Sequence, residues 1–293
     1  MKIKKAILPV AGFGTRFLPA TKAQPKEMLP VVDKPAIQYL VEEAVAAGIE
    51  EIIFVTGRGK RSIEDHFDHS FELEHNLVEK NKHDLLKEVR KISELAEFSY
   101  VRQQKPLGDG HAIARAAHLI GDEPALVMYG DSLYDAEVPP AKQLIDVFNK
   151  YNDPVVGLAA VPKEEVDKFG VIGGVDLGEG IYEIKEVAEK PKPEQAPSNL
   201  AAVGKYIITP EVVSVIKNMN FDKTGEIRLA DAFDIMIKNN RAVYGKKLKG
   251  EWLDTGDKFN FIKATIKLGL KNKETGDKLR RYLEGLSPNA RRE

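Results

Sequence analysis

The chain predicts an α/β fold: a Rossmann-like, mixed and mostly parallel sheet flanked by helices, with a small antiparallel subdomain. Three observations carry this reading. Short apolar runs of strand length alternate with segments of helical spacing through the first half. The first apolar run, Ala6-Ile7-Leu8-Pro9-Val10, empties into a glycine-containing loop ahead of a helix, which opens a β-loop-α-β unit. After Lys168 the pattern changes, and two alternating runs flank "LGEG", an antiparallel hairpin signal.

The elements follow in order. Residues 3–10 form strand one. Residues 34–47 form a helix, with Ile37, Leu40, Val41, Ala44 and Val45 at helical spacing, Pro35 in its first turn and Gly48 at its end. "EIIFVT" is a buried strand, and "GRGKRSIEDHF" starts the next helix. Residues 69–96 break the rhythm: they are charged, with helical apolar spacing at Leu77, Leu85, Val89, Ile92 and Leu95. They read as a helical insertion, either a lid edge or subunit contact, or a plain solvated helix. "FSYVRQQ" resumes strand character, and a glycine turn then feeds a helix. "PALVMYGDSLYD" reads as one buried strand ending in acidic residues, and "DPVVGLAAV" as another. "SNLAAVGKYIITP" adds a strand, 210–219 a helix, "AVYGKKL" a strand, and the tail after Asp257 is helical. The expected organisation is one main domain over 1–265, with a first half at about 1–135, a second at about 136–265, and a C-terminal helical extension over 266–293. The extension carries an Arg-Arg pair and a terminal "ARRE".

Composition narrows the functional classes. The 293 residues are 43% hydrophobic and 30% charged, ordinary for a soluble globular protein that buries a sizeable core. Lysine plus arginine (44) balances aspartate plus glutamate (45), so any anion site is local, and neither nucleic acid nor an anionic membrane is an expected partner. Cysteine is absent, which excludes disulfide and thiol chemistry and fits a cytoplasmic protein. The basic start "MKIKK" precedes too short an apolar stretch for a signal peptide, and no later segment is long enough to span a bilayer.

The loop after strand one carries the first chemistry. Gly12 and Gly14 permit backbone conformations closed to other residues, and free N–H groups in such a loop attract phosphate oxygens. Thr15, Arg16, Lys22 and Lys26 follow within a few residues, stiffened by Pro19 and Pro25. "GFGT" is neither a dinucleotide fingerprint, since Phe17 stands where the third glycine belongs, nor a P-loop, which ends in Gly-Lys-Ser/Thr. The reading is a cradle for a nucleoside triphosphate. Gln103, with an amide that both donates and accepts, precedes the glycine turn at Gly108, as a pyrimidine edge requires. Asp109 between two glycines reads as the cap of the helix that follows. Asp131, expected at the C-terminal end of a buried strand, faces the edge where open α/β sheets bind ligands. The six histidines show no metal-ligand spacing.

"GFGTRFLPATKAQPKEMLPVVDKPAIQYLVEEA" resembles the signature of the sugar-1-phosphate nucleotidylyltransferases, and its long form is most similar to the bacterial uridylyltransferase branch. The resemblance runs from Ile3 to about Leu270. It implies the nucleotide-diphospho-sugar transferase type of fold. It also implies nucleotide contacts from Ala11, Gly12, Gly14, Thr15, Arg16, Lys26, Gln103 and Gly108. Sugar-phosphate contacts fall to Gly170, Glu189, Lys190 and Val203, and Mg²⁺ ligands to Asp131 and Asp254. Arg16, Lys26 and Lys190 are the implied catalytic cations. Three positions depart from the family pattern: Asp109 for a leucine or threonine, and Arg228 and Ala230 in "GEIRLADA". "EWLDTGD" around Asp254 is closer to the thymidylyltransferase branch.

The implied reaction is transfer of a uridylyl group from UTP to glucose 1-phosphate, giving UDP-glucose and pyrophosphate. Two readings stay open beside it: a dTTP-dependent or dual-specificity enzyme, and a non-catalytic sugar-nucleotide-binding regulatory protein. The family also favours a homo-oligomer, dimer or tetramer.

Overall fold

The structure, a computed structural model, describes residues 2–286. The first half contains β1 (Lys5–Pro9), the two-residue strands β2 (Pro30–Val31) and β3 (Lys34–Pro35), α1 (Ala36–Ala46), β4 (Glu51–Thr56), α2 (Arg61–Phe67), α3 (Phe71–Glu79), α4 (His83–Ser93), β5 (Glu97–Arg102), α5 (Asp109–Ile120), β6 (Ala125–Met128) and β7 (Ser132–Asp135). The second half continues with α6 (Pro140–Tyr151), β8 (Val155–Ala160), β9 (Gly170–Asp176), β10 (Ile181–Glu189), β11 (Leu200–Ile208), α7 (Pro210–Asn218), α8 (Leu229–Lys238), β12 (Tyr244–Lys247), β13 (Glu251–Asp254), α9 (Lys258–Lys271) and α10 (Gly276–Gly285).

Nine strands form one sheet in the order β5-β4-β1-β6-β11-β8-β12-β10-β9. The first four are mutually parallel. They read as near-continuous apolar runs because helices cover both faces. Alternation still operates within a run: Leu8, Ile52 and Leu126 face the core under α1 and α6, whereas Ile7, Ile53 and Val127 face the core under α5 and α8. Their C-terminal ends all open on one edge. The glycine loop, residues 57–60, residues 103–108 and residues 129–131 therefore gather there, at the usual ligand edge of such a sheet.

The second half is largely antiparallel. β11 runs against both β6 and β8, and β10 runs against β9 and β12. β9 also pairs with the start of β11, so this end of the sheet curls round on itself. The antiparallel region expected around "LGEG" is therefore continuous with the main sheet. Gly178, Glu179 and Gly180 make its turn, all at positive φ.

Three local expectations change. The helix expected over 34–47 starts at Ala36, because Lys34 and Pro35 pair with Pro30 and Val31 in a small ladder. The segment expected as one strand over 124–135 is two, broken at Tyr129-Gly130-Asp131, and β7 leaves the sheet to pair with β13. The insertion over 69–96 is the helix pair α3 and α4, tied by Glu74, which accepts from Arg90 Nε at 2.7 Å. Of the expected C-terminal extension, α10 holds the Arg280-Arg281 pair, and the terminal "ARRE" lies outside the described residues. No helix among the described residues is long and apolar enough to cross a membrane.

Candidate active site

The glycine loop closes over Lys26. Gly14 stands at φ 63°, and a Cβ there would lie 3.2 Å from Lys26 Cβ. The absence of a side chain lets the two segments touch. Thr21 Oγ1 donates to Gly14 O at 2.8 Å and locks the turn. Lys26 opens a short 3-10 turn, and its Nζ lies 2.6 Å from Asp131 Oδ2. Burial pushes the ammonium down, but the Asp131 and Glu27 carboxylates outweigh it and hold Lys26 above its ordinary value. Glu27 itself accepts from Lys60 Nζ at 2.8 Å, both side chains being buried. The Glu27 stem packs so tightly under Gly130 that a Cβ there would come within 2.7 Å. The residues on either side of the cation–acid contact are thus fixed by one buried ion pair.

A cavity of about 510 Å³ opens here, lined among others by Ala11, Gly12, Lys26, Gln103, Gly108 and Asp131. Gln103 is buried, and its Nε2 lies 2.9 Å from both Gly108 O and His111 Nδ1, so the amide nitrogen braces its own loop. Gly108 is at φ 98°, and a Cβ would stand 2.3 Å from Ile227 O, a site only glycine fills. The turn is stitched to the segment before α8, since Ile227 N donates to Leu107 O and Gly110 N donates to Ile227 O, each at 2.9 Å.

Asp109 departs from its expected role. It is the first residue of α5 rather than its cap. Its Oδ1 accepts from Gly110 N and from Leu229 N, the first amide of α8, while Tyr129 donates its hydroxyl to Oδ2. The carboxylate joins two helix starts and the end of β6. Burial raises it above the ordinary carboxylate value.

The break after β6 explains the acidic pair. Because β7 peels away and pairs with β13, Ser132 stands opposite Asp254. Thr255 N donates to Asp131 O at 2.8 Å. A Cβ on Gly256 would lie 2.9 Å from Asp254 Oδ1, 3.3 Å from Asp131 Oδ2 and 3.5 Å from Arg16 Nη1, so the two carboxylates and the guanidinium converge over that glycine. Burial holds Asp254 above its ordinary value; the Gly256 amide opposes this and Asp131 adds to it. Among the described residues no group of three acidic or imidazole side chains surrounds a common point. Two carboxylates facing an open cavity suit a hard cation that completes its shell with phosphate oxygens.

A second cavity, about 340 Å³, adjoins the first and shares Asp131, Glu189 and Lys190 with it. It also holds Gly170, Val203, Arg16 and Asp254. Val203 lines it because β11 changes partner there. Residues before it pair with β9 and those after Gly204 with β6, and the register shift leaves a gap. Glu189 ends β10, and Lys190 follows at φ 47°, in the left-handed region that costs a non-glycine residue energy. The turn aims consecutive side chains into one cavity, which an extended strand would send to opposite faces.

The expected site residues therefore gather at one sheet edge, with two qualifications. Gly14 and Thr15 line neither cavity and serve the loop's own packing, and Arg16 lines the second cavity rather than the first. Lys60, Tyr129 and Arg228 were not singled out for the site. Lys60 lies outside the signature, Tyr129 in a segment read as strand, and Arg228 in a motif whose neighbours only the fold supplies.

The model of the nucleotidyl transferase family matches residues 5–269. The chain belongs to that family. Among family members, a UTP–glucose-1-phosphate uridylyltransferase of Bacillus subtilis is 48% identical, covering 97% of this chain and 95% of the relative. A UDP-glucose pyrophosphorylase structure complexed with UDP-glucose matches at TM-score 0.85 and 44% identity, over 92% of this chain and 100% of that one. A UTP-bound enzyme of the same kind from Acinetobacter baumannii matches at TM-score 0.90 and 38% identity, over 98% and 100%.

Proposed function

We propose that the chain transfers a uridylyl group from UTP to glucose 1-phosphate, giving UDP-glucose and pyrophosphate. The carrying observation is the meeting of two cavities at Asp131 and Lys190, with Lys26 on the first cavity in contact with Asp131. A donor and an acceptor seated on either side would present their phosphates to each other at that junction. The choice of UTP and glucose 1-phosphate is supported by the relatives, which carry that activity in their names over nearly their whole length.

The acceptor phosphate is already anionic, so the reaction needs no general base. The barrier lies in bringing two anions together and in the charge that grows on the leaving pyrophosphate; aligned cations lower it. Lys26 serves the α-phosphate from the first cavity, against Asp131, which lines both. Lys190 serves the sugar phosphate, and Glu189 accepts from sugar hydroxyls. Arg16 lines the acceptor cavity beside Asp254, and its charge neutralises the approaching phosphates from that side. Asp131 and Asp254 would hold Mg²⁺, which when bound screens the phosphate charges. Our reading extends to a cytoplasmic enzyme, in keeping with the lack of cysteine, and to a homo-oligomer, which light scattering in solution would test.

Pyrophosphate release from UTP or dTTP with glucose 1-phosphate and Mg²⁺ tests the assignment. Turnover with UTP and little with dTTP is expected. Equal use of dTTP would reopen base selection, and binding of UDP-glucose without pyrophosphate release would make the chain a sensor.

A further inference from the structure

Arg228 sits where the two cavities meet and lines both. It lies just before α8, at the end of a strap over residues 219–228. Its Nε lies 3.3 Å from Glu226 Oε2 and 3.4 Å from Asp222 Oδ2, and its Nη2 donates to Thr224 Oγ1 at 3.3 Å. Asp222 in turn holds the strap's own turn by accepting from the Thr224 and Glu226 amides. The guanidinium is thus anchored on one side, and its third nitrogen, Nη1, faces Glu189 Oε1 at 3.9 Å. Lys190 Nζ faces the same oxygen at the same distance. The other oxygen, Oε2, leans over Gly170, where a Cβ would be only 3.1 Å away. One carboxylate oxygen is clamped between two cations, and the other is aimed at the floor of the acceptor cavity.

We infer that Arg228 is a positioning residue for acceptor recognition: it holds Glu189 so that Oε2 accepts from the hydroxyls of the sugar phosphate. The inference rests on the acceptor role given to Glu189 above. A planar guanidinium braced by two carboxylates is suited to this, since its nitrogens keep a fixed mutual geometry that an ammonium lacks. Its action is on the acceptor, because Nη1, the nitrogen left over, faces Glu189, whereas its contacts with Glu226, which lines the first cavity, run through Nε and Nη2 and anchor the strap. The donor turn at Gly108 is held by Ile227 main chain, which a change at the Arg228 side chain leaves in place.

The test is a double-mutant cycle of Arg228→Gln and Glu189→Gln in the full chain, with Arg228→Lys alongside. Arg228→Gln should raise the KM for glucose 1-phosphate about tenfold, equivalent to ~1.4 kcal/mol, and leave the KM for UTP within about twofold. Arg228→Lys should recover part of that loss, having the charge without the fork. In the Glu189→Gln background, Arg228→Gln should add less than about twofold, since its target is gone. Additive losses would overturn the inference, as would an equal rise in both KM values or no rise at all. Calorimetric binding of glucose 1-phosphate gives the same cycle without turnover. A wild type that binds the sugar phosphate but releases no pyrophosphate would refute the reaction and still decide the role of Arg228.

Discussion

At Lys26, the cation–acid contact across the cleft joins residues that lie 105 positions apart. Lys26→Ala should lower kcat by about a hundredfold or more, as loss of one preorganised charge-stabilising donor does. Steady-state assays at saturating UTP and glucose 1-phosphate check it, and near-normal turnover would remove Lys26 from the chemistry. Asp254 offers a pH test. Its folded value is raised by burial, and Asp131 adds to this, so the folded state binds its proton more tightly than the unfolded chain. Stability is therefore lost as pH rises from the ordinary carboxylate value through the raised one. Asp254→Asn, without Mg²⁺, should match the wild type below that window and exceed it increasingly across it, in urea unfolding followed by fluorescence. Added Mg²⁺ and UTP should raise the wild-type Tm and leave the variant's largely unchanged. The cations of the loop were legible in the sequence because they crowd one short stretch. The mutual orientation of Glu189 and Lys190 was only half legible, since the left-handed turn at Lys190 comes where Glu189 pairs with Gly170 and Lys190 N donates to Phe169 O, contacts distant in sequence.

Elements carry the geometry that residues alone do not announce. The ribbon of β7 and β13 sets Asp131 beside Asp254, yet "PALVMYGDSLYD" is apolar enough to pass for one strand, and only the competing partner β13 shows why it breaks at Gly130. The buried Glu27–Lys60 pair fastens the turn bearing Lys26 to the start of α2, and its side chains are 2% and 5% exposed. Removing one partner of such a pair strands a charge in the interior. Lys60→Met should cost about 3–5 kcal/mol of unfolding free energy, much of it regained in Lys60→Met/Glu27→Leu. Urea denaturation of the three proteins decides this, and a loss below about 1 kcal/mol in the single variant would show that Glu27 finds water instead. Lys60 looked like an ordinary helix-start cation because burial leaves no mark in a charged letter.

Across the whole molecule, the alternation of strands and helices was readable because it arises from local periodicity. The order of the strands was not, since β11 reaches its place between β6 and β8 from far along the chain. That insertion governs how the protein can be divided. Residues 1–135 contain the glycine loop and the Gly108 turn, and so look like a portable unit. Yet the edge of β6 that they would leave bare is paired by β11 in the intact protein, and Ala125, Leu126, Val127 and Met128 are all fully buried there. An unpaired apolar edge of this kind templates association. A 1–135 fragment should therefore precipitate or self-associate, as sedimentation would show, while the full chain stays dispersed. During synthesis the same geometry imposes a wait. The ribosome releases the glycine loop early, but the central strand and then Asp254 arrive only late, so a nascent chain cannot set Asp131 beside Asp254 until most of it has been made.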